Sequence, residues 1–299
     1  MITAASRIAG LIAHPVGHSL SPLLQNTLAE RTGLDFVYLP LEVRDPARLG
    51  EALRGAAAFG FAGMNVTVPY KEAVIPYLSG IDPWARKIGA VNTLTLTESG
   101  YEGSNTDLPG MKRFLDDAGI SLRERAVVVL GAGGAAKAIA VLAGSMGAGS
   151  ISLLNRTVER AEALKEELFR VCPGIPVTAA PVDSWKRAVP ERSIVFQCTS
   201  VGMFPGTEEV LIEDDLFYRR AETGIDIVYT PSETVFLKKI RKAGGKGYSG
   251  LPMLVNQGIL SFERWNGLTV PDEVRAEVCG VLRAELDRRE GRSAAQRET

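Results

Sequence analysis

A glycine-rich segment in the middle of the chain has the residue types and the spacing of a phosphate-binding turn. An apolar, β-branched run at 126–130 leads into it, and an alanine-rich stretch typical of a helix follows it. Gly131 permits a tight turn, Gly133 lets the backbone approach a pyrophosphate, and Ala136 keeps the helix close to the sheet. Because the unpaired N–H groups at the start of a helix attract anions, the segment predicts a dinucleotide-binding site.

Two other interpretations of residues 126–148 are a glycine-rich loop in an unrelated α/β domain and a membrane span, because most of these residues are apolar. Lys137 and the glycines argue against a span, since neither suits a lipid-facing helix. The strand before the turn and the helix after it favour the dinucleotide site over a plain loop.

The next predicted strand, at 150–154, indicates which dinucleotide is bound. An NAD site would place Asp or Glu at its carboxyl end to bind the ribose hydroxyls, but this chain has Asn155 there. Arg156 and Arg160 offer planar guanidinium groups that suit a 2′-phosphate. Alternatively, Thr157 caps the following helix and both arginines are solvated. The missing acid favours NADP over NAD.

Polar side chains in the first third of the chain could hold a small substrate. Ser19 and Ser21 stand at a predicted helix start, where two hydroxyls and the helix dipole can hold a carboxylate. Ser21 followed by Pro22 is also the ordinary pattern of a helix N-cap. In a strand, the side chains of Asn65 and Thr67 lie on one face.

Lys71 becomes of interest with Asp107 as its partner, and Asn92 lies between them in sequence. Each has a simpler structural interpretation. Lysines in such positions are usually solvated surface residues, Asp107 precedes Leu-Pro-Gly and could cap a helix, and Asn92 could be a turn residue.

Composition limits the classes of partner. The chain has 299 residues, enough for two domains, and a formal net charge of −1, which gives no general attraction to nucleic acid or to an anionic membrane. Cys172, Cys198 and Cys279 lack metal-binding or redox spacing, so we expect no metal and no disulfide framework. The N-terminus does not have the pattern of a signal peptide, which predicts a cytoplasmic location.

Short apolar strands alternate with helical patterns along most of the chain, which predicts parallel βα units. The predicted strands lie at 8–12, 35–43, 61–67, 91–97, 126–130, 150–154, 176–179, 193–197 and 223–228. After Gly250 the pattern is purely helical, at 252–265 and 271–289.

We therefore predict an α/β fold of two lobes with a cleft between them. One is an N-terminal substrate-binding and catalytic lobe, residues 1–107 plus 248–299, onto which the C-terminal helices pack back. The other is a Rossmann-type, doubly wound parallel-sheet lobe that binds NADP, residues 108–247.

Nine segments of the chain match, in order, the motifs of the shikimate dehydrogenase family. They are 18–22 with Asn26, 63–71, 89–93, 105–107, 131–136, 155–157, 199–203, 226–231 and 250–257. The chain thus resembles this family over nearly its whole length. The resemblance implies an oxidoreductase that reversibly reduces 3-dehydroshikimate to shikimate with NADPH, in the shikimate pathway of aromatic amino acid and chorismate biosynthesis.

The resemblance also implies site residues on the substrate side. Ser19 and Ser21 would bind the substrate carboxylate. The ring hydroxyls would be bound by Thr67, Asn92 and Gln257, with support from Asn65 and with Tyr229 near the cleft. Lys71 and Asp107 would form the catalytic pair, in which Lys71 protonates the 3-keto oxygen.

On the cofactor side, the resemblance implies three groups of residues. The pyrophosphate would be bound by Gly131, Gly133, Gly134 and Ala135. The adenosine ribose phosphate would be bound by Asn155, Arg156, Thr157 and Arg160. The nicotinamide would be flanked by Thr199, Met203, Ile227 and Gly250.

Two departures from the family pattern keep alternatives open. Gln25 replaces the usual His, and Gln197-Cys198 replaces the usual Asn-Ala. Gln25 is reminiscent of quinate/shikimate dehydrogenases, which accept quinate and often use NAD. A non-catalytic, NADP-responsive binding protein is a remote alternative, because it would not need Lys71 and Asp107 together. The oligomeric state is open, with a homodimer as one possibility.

Overall fold

The computed structural model describes residues 2–297, with side chains described up to residue 291. The chain divides into two compact units. The first unit contains the chain up to Gly110 together with Leu254–Leu282, and the second contains Met111–Met253 together with the chain from Arg283 onward. Residues Leu254–Leu282 of the C-terminal helices thus belong to the first unit, whereas Leu251–Met253 and the part of the last helix from Arg283 belong to the second.

Strands and helices alternate through both units. The strands are β1 (Arg7–Ala13), β2 (Phe36–Glu42), β3 (Gly63–Val66), β4 (Gly80–Ile81), β5 (Thr93–Thr97), β6 (Gly100–Ser104), β7 (Ala126–Leu130), β8 (Ser150–Asn155), β9 (Val177–Pro181), β10 (Ser193–Gln197), β11 (Ala221–Asp226) and β12 (Lys246–Tyr248). The α-helices are α1 (Ser21–Thr32), α2 (Leu49–Ala58), α3 (Pro83–Ile88), α4 (Asp107–Asp117), α5 (Gly134–Ser145), α6 (Val158–Val171), α7 (Trp185–Ala188), α8 (Asp215–Arg219), α9 (Val235–Lys242), α10 (Leu251–Asn266) and α11 (Asp272–Arg297).

The sheet of the first unit is mixed rather than purely parallel. Its order is β2-β1-β3-β5-β6-β4, with β1 parallel to β2 and β3, but with β5 antiparallel to both β3 and β6. The expectation of parallel βα units is therefore wrong for β5 and β6. Strand β6 contains two glycines and a glutamate instead of an apolar run, and Glu98-Ser99 forms a tight turn into it, so apolar periodicity could not reveal the hairpin.

Helix α10 packs closely on this sheet. The Trp265 indole donates a hydrogen bond to the Leu94 carbonyl oxygen at 2.9 Å, and its ring stacks on Tyr38 with 6.0 Å between the ring centroids. A Cβ atom on Gly63 would lie 2.0 Å from the indole nitrogen, so only glycine allows this approach. The C-terminal helix thereby buries the strand that leads toward Lys71.

The second unit is a doubly wound parallel sheet. Its order is β12-β11-β10-β7-β8-β9, and every pair of neighbours is parallel. Starting from β9, this is the order 3-2-1-4-5-6 of a Rossmann-type fold, as predicted. The chain order reverses between β7 and β10, and ligands of such sheets bind at the carboxyl ends of the strands beside that reversal. Gly131 follows β7 there, and Cys198 follows β10.

Residues 126–148 divide into β7, the glycine turn and α5, so the membrane-span interpretation of this segment is wrong. Within the part of the chain that the structure describes, no helix is both long and apolar enough to cross a membrane. The last helix extends beyond its predicted end at 289 to Arg297, because Glu, Arg, Ala and Gln continue to favour helix there.

Candidate active site

Lys71 and Asp107 form an ion pair in the first unit. The Lys71 Nζ atom lies 2.6 Å from Asp107 Oδ2, and the two side chains are only 20% and 10% exposed. Lys71 lies five residues beyond the end of β3, and its carbonyl oxygen accepts a hydrogen bond from Val91 N at 2.8 Å. The solvated-surface interpretation of Lys71 is therefore excluded, and a charged donor is placed beside a carboxylate.

Asn92 holds the second oxygen of that carboxylate. Its Nδ2 atom donates to Asp107 Oδ1 at 2.9 Å, and its Oδ1 atom accepts from the Thr106 backbone N–H at 2.8 Å. Because a backbone N–H can only donate, the second contact fixes which end of the amide faces Asp107. Asn92 is therefore a buried bridge rather than an ordinary turn residue.

The carboxylate of Asp107 is not used to cap helix α4. Instead, Asn105 Oδ1 accepts from the backbone N–H groups of Asp107 at 3.0 Å and Leu108 at 3.4 Å. The N-cap interpretation of Asp107 is thus wrong, because a neighbouring amide satisfies the first N–H groups of the helix. Both oxygens of Asp107 remain directed to Lys71 and Asn92.

Asn65 lies beneath this pair in a buried polar cluster. It accepts from the Tyr38 hydroxyl at 2.8 Å. Its Nδ2 atom, which carries two N–H bonds, lies within hydrogen-bond distance of three acceptors: Thr93 Oγ1 at 3.1 Å, the Asn92 carbonyl oxygen at 3.2 Å and Ser261 Oγ at 2.9 Å. With its hydrogen-bonding capacity used inside the protein, Asn65 is suited to supporting Asn92.

Gln257 reaches the same cluster from helix α10. Its Nε2 atom donates to the Leu254 carbonyl oxygen at 2.8 Å, which leaves Oε1 facing the Thr106 hydroxyl at 3.5 Å. The side chain is half-buried. Helices α4 and α10 approach closely at this point, since a Cβ on Gly110 would lie 2.8 Å from Gln257 N.

Ser19 and Ser21 lie at the start of helix α1. The helix N-cap is Leu20, which has no side-chain cap, so the prediction that the Ser21 hydroxyl caps the helix is wrong. Ser19 Oγ instead accepts from Ser21 N at 3.1 Å. The first turn contains no acidic residue, so its N–H groups and the two hydroxyls form a surface that favours an anion.

The structure does not bring all the predicted substrate residues into one hydrogen-bonded group. In the described part of the chain, the hydroxyls of Ser21 and Thr67 have no protein partner, and neither serine of the α1 pair bonds to the Lys71–Asp107 cluster. Both hydroxyls are half-buried rather than fully enclosed. They are thus available to a ligand.

In the second unit, the glycine turn has the geometry of an anion site. Gly131 has φ +114°, and a Cβ atom there would lie 3.1 Å from the Cys198 carbonyl oxygen. Gly133 is the N-cap of α5 and has no side chain to satisfy the following N–H groups, which begin with Gly134 and Ala135. A Cβ on Gly133 would meet nothing within 4 Å, so the space in front of the helix is open.

The residues after β8 present two arginines and no cap. Thr157 is the N-cap of α6, but its side chain makes no capping hydrogen bond. The alternative in which the Thr157 side chain caps this helix is therefore wrong. Asn155 Nδ2 donates to the Thr157 carbonyl oxygen at 2.8 Å, which closes the turn. Arg156 and Arg160 are exposed, so their guanidinium groups can reach a phosphate.

Gln197 organises the loop after β10. Its Oε1 atom accepts from both N and Oγ1 of Thr199 at 2.8 Å, and its Nε2 atom donates to the Val201 carbonyl oxygen at 2.9 Å. Gln197 thus holds both Thr199 and Val201 of this loop. Met203 follows on the loop and is exposed.

The loop after β11 is fixed by a buried carboxylate. Asp226 accepts from Val228 N at 2.9 Å and from the Thr234 hydroxyl at 2.6 Å, and burial raises its pKa to about 7. Ile227 directly follows Asp226, and the half-buried Tyr229 lies between Val228 and Thr234. A Cβ on Gly250 would lie 2.2 Å from the Ile227 carbonyl oxygen, so glycine is required there.

Sequence reasoning missed five residues of these clusters. They are Thr93, Asn105, Thr106, Asp226 and Ser261. Four lie inside or next to segments that had been singled out, and Ser261 lies one helical turn after Gln257, a spacing that places both on one face. Within residues 2–291, no group of three or more His, Cys, Asp and Glu side chains could hold a metal ion.

Three family models match consecutive parts of the chain. They describe a shikimate dehydrogenase substrate binding domain at residues 11–94, a shikimate/quinate 5-dehydrogenase at 114–215 and a shikimate 5'-dehydrogenase C-terminal domain at 250–275. The matched segments include Lys71 and Asn92, the glycine turn and all of helix α10, and Asp107 lies between the first two segments.

Comparisons with known proteins agree with these matches. The chain is 42% identical to a shikimate dehydrogenase (NADP(+)) of Moorella thermoacetica over 94% of this chain and 96% of that protein. It is 34% identical to the shikimate 5-dehydrogenase of Thermus thermophilus in complex with NADP(H) and shikimate, with a TM-score of 0.80 over 91% of this chain and 98% of that one. It is 31% identical to the shikimate 5-dehydrogenase of Listeria monocytogenes in complex with shikimate and NAD, with a TM-score of 0.83 over 93% and 97% of the two chains. These likenesses extend over both units, and the chain belongs to the shikimate dehydrogenase family of oxidoreductases.

Proposed function

We propose that this chain is an NADP-dependent shikimate dehydrogenase that reversibly reduces 3-dehydroshikimate to shikimate. The observation that carries the proposal is the shielded Lys71–Asp107 pair, held at 2.6 Å in a chain of this family. A ring ketone needs a hydride at carbon and a proton at oxygen. NADPH supplies the hydride when bound, and the protein must supply the proton.

Lys71 is the proposed proton donor. Its ammonium group protonates the 3-keto oxygen during reduction, and the amine takes the proton back during oxidation. Asp107 accepts a hydrogen bond from Lys71 through Oδ2, which restricts the direction of the remaining N–H bonds. Asn92 holds Oδ1 of Asp107, so the carboxylate cannot rotate away from Lys71 without breaking a second hydrogen bond.

The proposed substrate contacts follow from the unused polar groups of the first unit. Ser19, Ser21 and the first turn of α1 suit the carboxylate. Thr67 and Gln257 offer hydrogen-bonding groups to the ring hydroxyls. Asn92 Nδ2 now donates to the Thr106 hydroxyl, and a substrate hydroxyl would take the place of that acceptor. Asn65 supports Asn92 from below.

The proposed cofactor contacts lie in the second unit, where the residues present fit NADP. The turn from Gly131 to Ala135 has open space before an uncapped helix, as a pyrophosphate requires. Asn155, Arg156, Thr157 and Arg160 suit the 2′-phosphate. The nicotinamide side is assigned to Thr199, Met203, Ile227 and Gly250, with Tyr229 nearby.

The test is a steady-state comparison of shikimate and quinate, each with NADP and with NAD. We expect the highest kcat/KM with shikimate and NADP. Preference for quinate with NAD would instead support the quinate/shikimate alternative, which Gln25 favours and which the name of one matching family model includes. Absence of turnover with every pair, despite NADP binding, would support a non-catalytic binding protein.

The proposal also includes the cellular location and the oligomeric state of the enzyme. Within the described part of the chain, Cys172, Cys198 and Cys279 form no disulfide, which agrees with a reducing, cytoplasmic environment. A homodimer stays a prediction, and sedimentation velocity at several protein concentrations tests it.

A further inference from the structure

The Ser261 hydroxyl lies at the centre of the buried polar cluster of the first unit. It is fully buried, and it contacts Asn65 Nδ2 at 2.9 Å, Thr93 Oγ1 at 2.8 Å, Thr106 Oγ1 at 3.3 Å and the Gln257 carbonyl oxygen at 3.1 Å. These contacts join helix α10 to strands β3 and β5 and to the residue before α4.

The directions of these hydrogen bonds follow from groups that can act in only one way. Asn65 Nδ2 donates to the Asn92 carbonyl oxygen, so the same nitrogen must also be the donor to Ser261. The Thr93 hydroxyl donates its only proton to Asn92 Oδ1 at 2.9 Å, so in the 2.8 Å contact between the two hydroxyls Ser261 is the donor and Thr93 Oγ1 is the acceptor. Ser261 therefore restricts the rotation of the hydroxyl that orients Asn92.

Asn92 in turn orients the acid–base pair. The acceptor end of its amide is held by Thr93 and Thr106, so the donor end is held toward Asp107. Asp107 then keeps its other oxygen on Lys71. A continuous series of hydrogen bonds thus runs from Ser261 to the ammonium group.

We propose that Ser261 is a positioning residue for the reaction: through Thr93 and Thr106 it fixes the amide of Asn92, and thereby the Asp107 carboxylate and the Lys71 ammonium. The inference rests on the proposed function, in which Lys71 transfers the proton. Ser261 itself touches neither Lys71 nor Asp107, so its effect is on alignment. Loss of alignment lowers the rate of proton transfer more than it weakens substrate binding.

Ser261→Ala tests this directly. Alanine favours helix and removes only the hydroxyl, and Asn65 keeps its contacts with Thr93 and with the Asn92 carbonyl oxygen, so the fold is retained. We expect kcat for 3-dehydroshikimate reduction to fall about tenfold, in line with the sensitivity of rates to small misplacements. KM for NADPH should not change, and KM for 3-dehydroshikimate should change less than about threefold.

Thr93 supplies an independent test with a matched control on the same strand. Thr93→Val removes the hydroxyl that joins Ser261 to Asn92, and Thr93→Ser restores it without the methyl group. Thr95, two residues further along β5, has a buried hydroxyl with no hydrogen-bond partner in the described chain, so Thr95→Val has the same chemical change outside the cluster. We expect Thr93→Val to lower kcat as Ser261→Ala does, and Thr93→Ser and Thr95→Val to keep kcat within about twofold.

The results separate this inference from the proposed function. If the unaltered enzyme is active, Lys71→Ala is inactive and Ser261→Ala matches Thr95→Val in kcat, the positioning role is wrong while the function stands. If Lys71→Ala retains full activity, the proposed function itself, with Lys71 as the proton donor, is wrong. Equal losses of kcat in Thr93→Val and Thr93→Ser would also overturn the positioning role, because the hydroxyl would then not matter.

Discussion

The two oxygens of the Asp107 carboxylate have different partners, and this division suits proton transfer. Oδ2 binds the ammonium of Lys71 and Oδ1 binds the amide of Asn92. A shielded ion pair is a poor source of stability, because taking both charges out of water costs about as much as their attraction returns. Its presence in the first unit is better explained by chemistry than by folding.

Lys71→Ala should therefore act on the rate. Removing a positioned general acid typically costs about 10²–10⁴-fold, and we expect kcat for 3-dehydroshikimate reduction to fall by this factor with a modest change in KM. Steady-state kinetics in both directions measure it. A kcat within about twofold of the unaltered enzyme would remove Lys71 from the mechanism.

Lys112→Ala is the matched control for that substitution. Lys112 also pairs with an aspartate at 2.6 Å, but both side chains are about half exposed, at 53% and 52%. An exposed pair of this kind contributes little to stability, roughly 0.3–0.5 kcal/mol in a helix. The substitution should leave kcat unchanged, so a loss equal to that of Lys71→Ala would show that the assay responds to removal of any lysine.

Arg156 is the residue on which cofactor choice can be tested. A hydrogen bond to a charged group is worth about 1.5–3 kcal/mol, which corresponds to roughly 10–150-fold in affinity. Arg156→Ala should raise KM for NADPH by about that factor and leave KM for NADH unchanged, since NADH has no 2′-phosphate. Equal effects on both cofactors would place the arginine outside the phosphate site.

At the scale of the element, the turn between β7 and α5 depends on backbone conformation rather than on side chains. Gly131 has φ +114°, a region that other residues rarely adopt, and its neighbour across the turn is the Cys198 carbonyl oxygen. We expect Gly131→Ala to move the turn, raise KM for NADPH at least about tenfold, and lower the free energy of unfolding by about 1–3 kcal/mol. Titration of NADPH and urea denaturation give the two quantities.

Gly147 provides a control for strain alone. It follows the other end of α5 with φ +76°, and a Cβ there would meet only Arg123 Cγ at 3.9 Å. Gly147→Ala should cost about 1 kcal/mol of stability and leave KM for NADPH unchanged. If both glycine variants raised KM alike, the effect would come from general destabilisation of the unit and not from the turn.

The same elements show what sequence patterns can and cannot predict. The apolar runs of β7, β8 and β10 and the glycines after β7 were sufficient to predict the Rossmann-type sheet, because buried parallel strands have continuous apolar sequences. Strand β6 was missed because its pairing depends on a tight turn and on backbone bonds to β5. The predicted N-cap of helix α1 was also wrong, because Ser21 is the first residue of the helix and Leu20 is its N-cap.

For the candidate site, sequence motifs were sufficient to single out Lys71, Asp107 and Asn92. They did not reveal that Asn105 caps α4 or that Ser261 joins the cluster, since both depend on which side chains meet after folding. Local patterns report which residue types are near one another along the chain. They do not report contacts across 168 positions, such as that between Thr93 and Ser261.

At the scale of the whole molecule, each unit has its own apolar core. One core includes Leu53, Met64 and Leu94 in the first unit, and the other includes Val128, Trp185 and Leu237 in the second. The proposed proton donor belongs to the first unit and the proposed pyrophosphate turn to the second. Lys71→Ala should accordingly leave the dissociation constant of NADPH unchanged.

The stability of the protein should depend on pH through Asp226. Burial raises its pKa to about 7, against 3.8 for an ordinary aspartate. The folded state therefore binds a proton between these values that the unfolded state has released. The stabilising contribution is complete below pH 3.8 and is lost as the pH rises toward 7. Over this window the free energy of unfolding should fall by up to about 1.4 kcal/mol per pH unit on account of this group.

Asp226→Asn removes the titration while keeping groups that can pair with Val228 N and the Thr234 hydroxyl. Relative to the unaltered protein, the variant should gain stability steadily from about pH 5 to pH 7 and level off by about pH 8, as measured by urea denaturation at each pH. Glu285→Gln is the contrasting control, because Arg288 and Arg289 lower the pKa of Glu285 to about 2. The difference in free energy of unfolding between this variant and the unaltered protein should therefore not change with pH over the same range. A flat difference for Asp226→Asn as well would mean that Asp226 is ionised throughout, with its two hydrogen bonds outweighing the cost of burial.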